Sequence, residues 1–157
     1  MAIVSTGQLT IVDQNDAKPI TALVSASRAL QQAYSKDNGV ELYTPNWTTS
    51  TVVLTANVFV GGGNVANDPA CTGHTWSTSF NGASVGSTVS YTHNTNIAPT
   101  TGAITYYYKC TYTDPVTSVQ TRIDAQITLS VVQTGTNAVF IQITGNDVIK
   151  KAEGATK

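Results

Sequence analysis

The sequence predicts an all-β protein built around one β-sandwich domain. Three observations support this fold class: several segments alternate apolar and polar residues, turn-forming residues recur at short intervals, and spacing typical of helices is weak. Residues that are branched at Cβ, above all Thr and Val, are abundant, as is usual in sheets. A chain of 157 residues is long enough for one domain, or for one domain with an additional arm.

The chain carries little charge, and this excludes several function classes. Charged residues make up 11% of the sequence and the formal net charge is −1, whereas soluble proteins average roughly 25% charged residues. A nearly neutral chain lacks the broad positive surface of a basic nucleic-acid binder.

No apolar run approaches the roughly 18 residues of a membrane span, and the first residues do not resemble a secretory signal. We therefore expect synthesis in a cytosol, with no nucleic-acid or membrane partner.

The first 50 residues show too little periodicity to predict an independently folded unit. A short strand is expected over residues 9–12, and a second apolar stretch covers 20–24. Residues 25–35 fit either a helix or an extended segment, and the sequence leaves both readings open. We therefore predict an extended N-terminal arm over residues 1–50.

Regular alternation begins after residue 50 and defines the predicted sandwich over residues 51–145. The alternation is clearest in one late segment, where apolar side chains occupy every second position from Ile123 to Val131. Such a pattern predicts an antiparallel strand with one buried and one wet face. The strands expected in this domain cover residues 51–60, 75–80, 85–91, 104–112, 122–132 and 139–143. A flexible tail is predicted over 146–157.

One spacing narrows the prediction to an immunoglobulin-like antiparallel β-sandwich with an extended N-terminal arm. Tyr108 stands two residues before Cys110 in a strong late strand, which is the spacing of a tyrosine corner, and Trp76 fits the core tryptophan of strand C. These three residues are the predicted core markers. The predicted strand B, residues 51–60, contains no cysteine, and Cys71 falls in the expected loop after it. Free thiols and a Cys71–Cys110 disulfide both remain possible from the sequence.

The sequence offers no convincing catalytic or metal-binding constellation. His74 follows Cys71 by three residues, but the second side of a zinc site would consist of Cys110 alone, where paired ligands are usual. No nucleophile elbow is present, and the glycines at 61–63 are not followed by the residues of a phosphate loop. We therefore predict no catalytic residue, no metal and no cofactor, and expect that the protein is not an enzyme.

Tyr107 is the one candidate ligand-binding residue. It points opposite to Tyr106 and Tyr108 if the strand is regular, so its ring could stack on a sugar or a base, with loop residues 92–102 as further sugar-binding candidates. The alternative, that Tyr107 packs at a sheet or subunit interface, is the more common role for such a residue.

Four stretches resemble the N-terminal regions of tail-fibre or host-attachment proteins, which belong to the tail and baseplate minor structural proteins of tailed bacteriophages. The stretches read QLTIVDQNDA from residue 8, KDNG from 36 with YTPNWT from 43, VLTA from 53 with VFV from 58, and YKC from 108 with YTDP from 112. Their order and spacing carry the resemblance. It implies a structural protein of the virion, a tail or tail-fibre attachment or adaptor protein that assembles through its N-terminal arm.

Candidate assembly contacts follow from this reading of the arm. We expect Leu9, Ile11, Tyr43 and Trp47 to contact a neighbouring chain, since an arm that cannot fold alone can add a strand to a sheet edge. For Trp47, the alternative is that it covers one end of the chain's own sandwich. The expected partners are further copies, as a trimer or hexamer, and other tail proteins of the virion.

Two other functions remain open from the sequence, and an enzyme, in which His74 or His93 would meet an acid or Cys71 in a pocket, ranks last after them. The first is a carbohydrate-binding or adhesin-type module that takes a host-surface glycan, and the second is a capsid decoration protein. An immunoglobulin-like fold does not separate these possibilities, because that fold hosts many functions.

Overall fold

The computed structural model describes residues 18–134, and these residues form ten β-strands and no helix. The strands, in chain order, are β1 (Ile20–Ala26), β2 (Gln31–Asp37), β3 (Val40–Thr44), β4 (Val52–Val60), β5 (Gly63–Asn64), β6 (Cys71–Ser77), β7 (Ser84–Gly86), β8 (Ser90–His93), β9 (Ala103–Thr113) and β10 (Gln120–Gln133). Within this part of the chain, no helix has the length and hydropathy needed to cross a membrane.

The strands form two sheets packed as a sandwich, so the predicted fold class is confirmed. One sheet has the order β1-β4-β5, with β8 also paired to β4. The other has the order β3-β2-β10-β9-β6-β7. The strands predicted as B, C, F and G of an immunoglobulin-like sandwich correspond to β4, β6, β9 and β10, and the last three are neighbours in one sheet as that order requires.

One strand pair departs from the predicted antiparallel arrangement. β2 runs parallel to β10, with Gln31 opposite Ser130 and Tyr34 opposite Gln133. Parallel neighbours need a long connection rather than a hairpin. Here most of the domain lies between the two strands and supplies that connection. Because this one pair is parallel and the others are antiparallel, the larger sheet is mixed.

The predicted boundary at residue 50 is wrong, because residues 20–44 belong to the sandwich. β1 pairs with β4 along its full length, from Ile20 opposite Val60 to Ala26 opposite Leu54. The chain then crosses to the second sheet, where β2 and β3 form a hairpin. Without β1 and β2, two central strands would present open backbone edges, which folded sheets tend to cover. The helix considered for residues 25–35 is not formed.

Several other predictions fall outside the described residues. Leu9 and Ile11 belong to residues 1–17, and the predicted final strand and the tail belong to residues 135–157.

The core lies between β4 and β9, whose inward residues face each other across the sandwich. Val52, Leu54, Ala56 and Val58 alternate along β4 and are at most 1% exposed. On β9 the matching residues are Tyr106, Tyr108, Cys110 and Tyr112, all buried. This alternation follows from the two-residue period of a strand.

Candidate functional site: an aromatic cleft on the outer sheet face

Tyr107 lies on the outer face of the larger sheet. It is opposite Gln126 of β10 on one side and Ser77 of β6 on the other. Because strand side chains alternate between faces, Tyr107 is turned away from the core that receives its two neighbours. The sequence prediction of an outward Tyr107 therefore agrees with the structure.

A tight turn after β6 holds Phe80 beside Tyr107. The amide of Gly82 donates to the carbonyl of Ser79 at 2.9 Å, and the Ser77 hydroxyl donates to the same carbonyl at 2.8 Å. A Cβ atom at residue 82 would meet the Ser79 hydroxyl, so a larger residue here would require the Ser79 side chain to turn away. The Phe80 side chain is 62% exposed, and its ring lies edge-on to that of Tyr107, with 6.0 Å between the centroids.

Arg122 links this turn to β10. Its Nη2 donates to Asn81 Oδ1 at 2.6 Å and to Asp124 Oδ1 at 2.7 Å, and its Nε donates to Asp124 Oδ1 at 3.1 Å. The guanidinium carbon also stands 5.7 Å from the centroid of the Phe80 ring, within the range of a cation–π contact. The pair with Asp124 is solvent-exposed and adds little stability, but it fixes where the carboxylate lies.

These side chains surround an open cleft of about 210 Å³. Its lining residues are Phe80, Tyr107, Tyr108, Asp124, Ala125 and Gln126. The cleft combines aromatic surface with one carboxylate and one amide, which is the composition of many small-molecule sites. Phe80, Asp124 and Gln126 were not predicted as site residues from the sequence. A signal was present for Phe80, because it directly precedes the Asn81-Gly82 turn, but only the strand register places Asp124 and Gln126 here.

Loop residues 92–102, predicted to lie beside Tyr107, are bound elsewhere. Asn96 Oδ1 accepts hydrogen bonds from Gln32 Nε2 at 2.7 Å and from the Trp47 amide at 2.8 Å. The Ile97 amide donates to Gln32 Oε1 at 3.1 Å, and both Gln32 and Ile97 are buried. This loop therefore closes the sandwich over the segment that follows β3 and does not line the cleft.

The prediction that Trp47 contacts a partner is wrong, because its side chain is 0% exposed. Its ring lies edge-on to the His93 ring at 5.4 Å, in the core. The alternative, that Trp47 covers one end of the chain's own sandwich, describes its position.

Tyr43 is partly exposed on β3 and packs against Tyr34, with 5.0 Å between the ring centroids.

Trp76, Tyr108 and Cys110, the predicted core markers, are all buried. The Trp76 ring lies 5.0 Å from that of Tyr108, and its Nε1 donates to the Thr88 carbonyl at 2.8 Å. The Tyr108 hydroxyl lies 2.6 Å from His74 Nδ1. A tyrosine corner would instead bond to backbone nearby in sequence. That detail of the immunoglobulin-like prediction is therefore wrong, since a bulge in β6 brings His74 within reach of β9.

Both cysteines are free and buried, and Cys71 begins β6 instead of lying in a loop. Burial raises the pKa of the Cys71 thiol to about 11. Burial also raises the pKa of Cys110, although hydrogen bonds with Tyr108 and Cys71 act against it. A thiol with a raised pKa is a poor nucleophile near neutral pH, so neither cysteine has the electrostatics of a catalytic group.

His74 has both ring nitrogens engaged, since Nε2 lies 3.1 Å from the Cys71 carbonyl oxygen. Among residues 18–134 no three His, Cys, Asp or Glu side chains are grouped so that they could hold a metal ion.

Comparisons with protein-family models, with curated proteins and with solved structures find no match to this chain. The interpretation of the cleft therefore rests on its own residues.

Proposed function

We propose that the chain is a structural component of a bacteriophage virion, a tail or tail-fibre attachment or adaptor protein. Two lines of reasoning support the proposal. The first is the resemblance of four sequence stretches to phage tail proteins. The second, which carries the assembly argument, is the edge strand β3.

β3 offers a surface for assembly with another chain. It stands at the end of the larger sheet, where β2 is its neighbour among the described strands. Val40 and Leu42, on one face of β3, are 60% and 52% exposed. An edge strand of this kind has backbone groups that can pair with a strand from another chain. A further copy could extend this sheet by strand addition.

The N-terminal segment remains part of the proposal. Residues 1–17 come before β1 and contain Leu9 and Ile11. We retain both as candidate assembly contacts together with Tyr43, which lies on β3. Trp47 is no longer a candidate. The expected assembly is a trimer or hexamer that joins other tail proteins in the virion.

Light scattering of the purified chain tests the assembly role. We expect a defined oligomer, and we expect the double variant Val40→Lys, Leu42→Lys to fall to monomer, because two charges block pairing at the β3 edge. Val116→Lys is the matched control, since Val116 is 89% exposed in a turn away from β3. A monomeric parent chain, or an oligomer that survives the double variant, would contradict assembly through β3.

Mass spectrometry of purified particles tests the virion role independently. We expect peptides of this chain in particles at a fixed ratio to a tail protein, and immunogold labelling at the tail. Labelling of the capsid would favour a decoration protein, and absence of the peptides from particles would exclude a structural role.

The Phe80–Tyr107 cleft favours a second candidate, a carbohydrate-binding or adhesin-type module. Exposed aromatic rings with fixed polar neighbours are suited to small cyclic ligands. A host-surface glycan is the corresponding partner, and this function is compatible with a place in a virion.

A further inference from the structure

We propose that the cleft between Phe80 and Tyr107 is a saccharide subsite that takes one neutral pyranose ring. The proposal deepens the carbohydrate-binding candidate and rests on it, but it is independent of where the protein is located.

The aromatic surface of the cleft is suited to one face of a sugar ring. Phe80 is 62% exposed, yet a turn, the Tyr107 ring and the Arg122 guanidinium together hold its ring in place. The face of an aromatic ring carries partial negative charge. The C–H groups on one face of a pyranose carry partial positive charge and can stack on such a ring. Because the rings are already fixed, stacking requires little ordering, which favours binding.

Two polar side chains on β10 lie beside the aromatic surface. Asp124 and Gln126 are two residues apart, so they project from the same face of the strand and reach the cleft together. Arg122 occupies Oδ1 of Asp124, while Oδ2 has no hydrogen-bond partner within residues 18–134. A carboxylate oxygen accepts from a hydroxyl, and an amide both donates and accepts. Together they can bind two neighbouring hydroxyls of one sugar.

Charge and size narrow the ligand class. The Asp124 carboxylate lines the cleft, and the nearby Arg122 already forms an ion pair with it. An acidic sugar would bring a second negative charge close to Asp124, which disfavours it. The volume of about 210 Å³ is below that of pockets for drug-sized ligands, which span roughly 300–1,000 Å³. A single neutral ring matches both limits.

The test is a titration of the ¹⁵N-labelled full-length chain with individual sugars, followed by NMR. The probes are the methyl pyranosides of glucose, galactose, mannose and N-acetylglucosamine, with methyl glucuronide as the acidic counterpart. We expect saturable shifts of the Tyr107 and Gln126 amides with at least one neutral probe, at a Kd of about 1 mM, because a single ring offers few atoms for contact. The glucuronide should bind more weakly than the corresponding glucoside.

Variants then identify the binding groups. Tyr107→Ala and Phe80→Ala should each raise the Kd at least about tenfold, whereas Tyr107→Phe should retain binding because the ring remains. Asp124→Asn should reduce the preference for the neutral glucoside over the glucuronide. Leu23→Ala is the control, since Leu23 is 50% exposed on the other sheet. Amide spectra of each variant report whether the fold is kept.

Three outcomes would overturn the proposal. They are the absence of saturable shifts with every neutral probe up to about 100 mM, shifts that map away from β9 and β10, and an unchanged Kd for a folded Tyr107→Ala. None of them bears on whether the chain is found in virions, so failure of the subsite and failure of the structural role are distinguishable.

Discussion

The inner and outer faces of β9 use the same residue type for different purposes. Tyr106 and Tyr108 point into the core, and each hydroxyl lies within hydrogen-bond distance of a histidine ring, at 2.8 Å from His93 Nδ1 and 2.6 Å from His74 Nδ1. Tyr107, between them in sequence, points outward and contacts Phe80 instead. Three consecutive tyrosines are therefore divided by the pleat of the strand into two structural residues and one candidate binding residue.

Burial also affects the titration of the two inward tyrosines. Burial raises the pKa of both inward tyrosines well above its ordinary value. A phenol that stays protonated can serve as a permanent hydrogen-bond donor inside the core. The inner face thus combines apolar packing with fixed polar pairs, whereas Tyr107, Phe80 and Gln126 on the outer face remain partly or fully exposed.

The largest expected difference between the two faces is in stability. Trp76→Ala should lower the free energy of unfolding by about 3–5 kcal/mol, because a fully buried indole leaves a cavity. Tyr107→Ala, on the outer face, should lower it by about 1 kcal/mol or less. Urea denaturation measures both. Equal losses would show that the outer face is as tightly packed as the core.

A smaller loss is expected where the core is polar. Gln32 is 0% exposed and bonds to Pro45, Asn96 and Ile97. Gln32→Leu should cost about 1–3 kcal/mol, because the partner groups would remain buried without the amide. Gln126→Leu is the matched control on the outer face, and its effect should stay within about 0.5 kcal/mol. An unchanged free energy of unfolding for Gln32→Leu would mean that water readily replaces the amide as hydrogen-bond partner.

Removal of a single hydroxyl tests the two faces of β9 separately. Tyr108→Phe should lower the free energy of unfolding by about 1 kcal/mol, since it removes the bond to His74. Tyr107→Phe should change it by less than about 0.5 kcal/mol. Thermal unfolding of the two variants in parallel would show the difference. A larger effect at residue 107 would reverse our assignment of the two faces.

The smallest expected effect is a pH dependence from the inner face. Burial lowers the pKa of His93 below its ordinary value of 6.5, so the folded state disfavours the charged imidazole. The unfolded state takes up the proton first as the pH falls. Stability is therefore expected to be constant above the unfolded pKa and to decrease below about pH 6.5. Comparison of urea midpoints for the parent and His93→Gln across this range measures the contribution, and identical slopes would contradict it.

The strand predictions succeeded where one face is buried. They failed at β2, whose partner β10 is distant in sequence, and at residues 85–91, which divide between β7 and β8 in different sheets. Alternation marks β4, β9 and β10 directly, because each has a strict inner face. β2 shows no such signal: its buried Gln32 is polar, and it is held by β10, about a hundred residues away. The alternation of residues within one segment does not show which distant strand the segment pairs with.

The candidate site, like the strands, was predictable only where local alternation decides the direction of a side chain. Alternation places Tyr107 outward without any coordinates. The loop expected beside it was not predictable, since Asn96 is fixed by Gln32 and Trp47 from a segment about fifty residues earlier. Trp47 was expected at a contact with another chain because its polar sequence neighbours offer no local core, whereas its apolar neighbours come from elsewhere in the fold.

By itself, the sequence determined the all-β class, the strands with a clean period of two and the opposite directions of Tyr106 and Tyr107. All of these follow from the local geometry of a pleated chain. The tertiary structure decided that residues 20–44 complete the two sheets, that Trp47 is buried, and that Phe80, Asp124 and Gln126 meet at Tyr107. The physical reason is that burial and strand register depend on which distant segments pair, and pairing is settled by the packing of the whole domain.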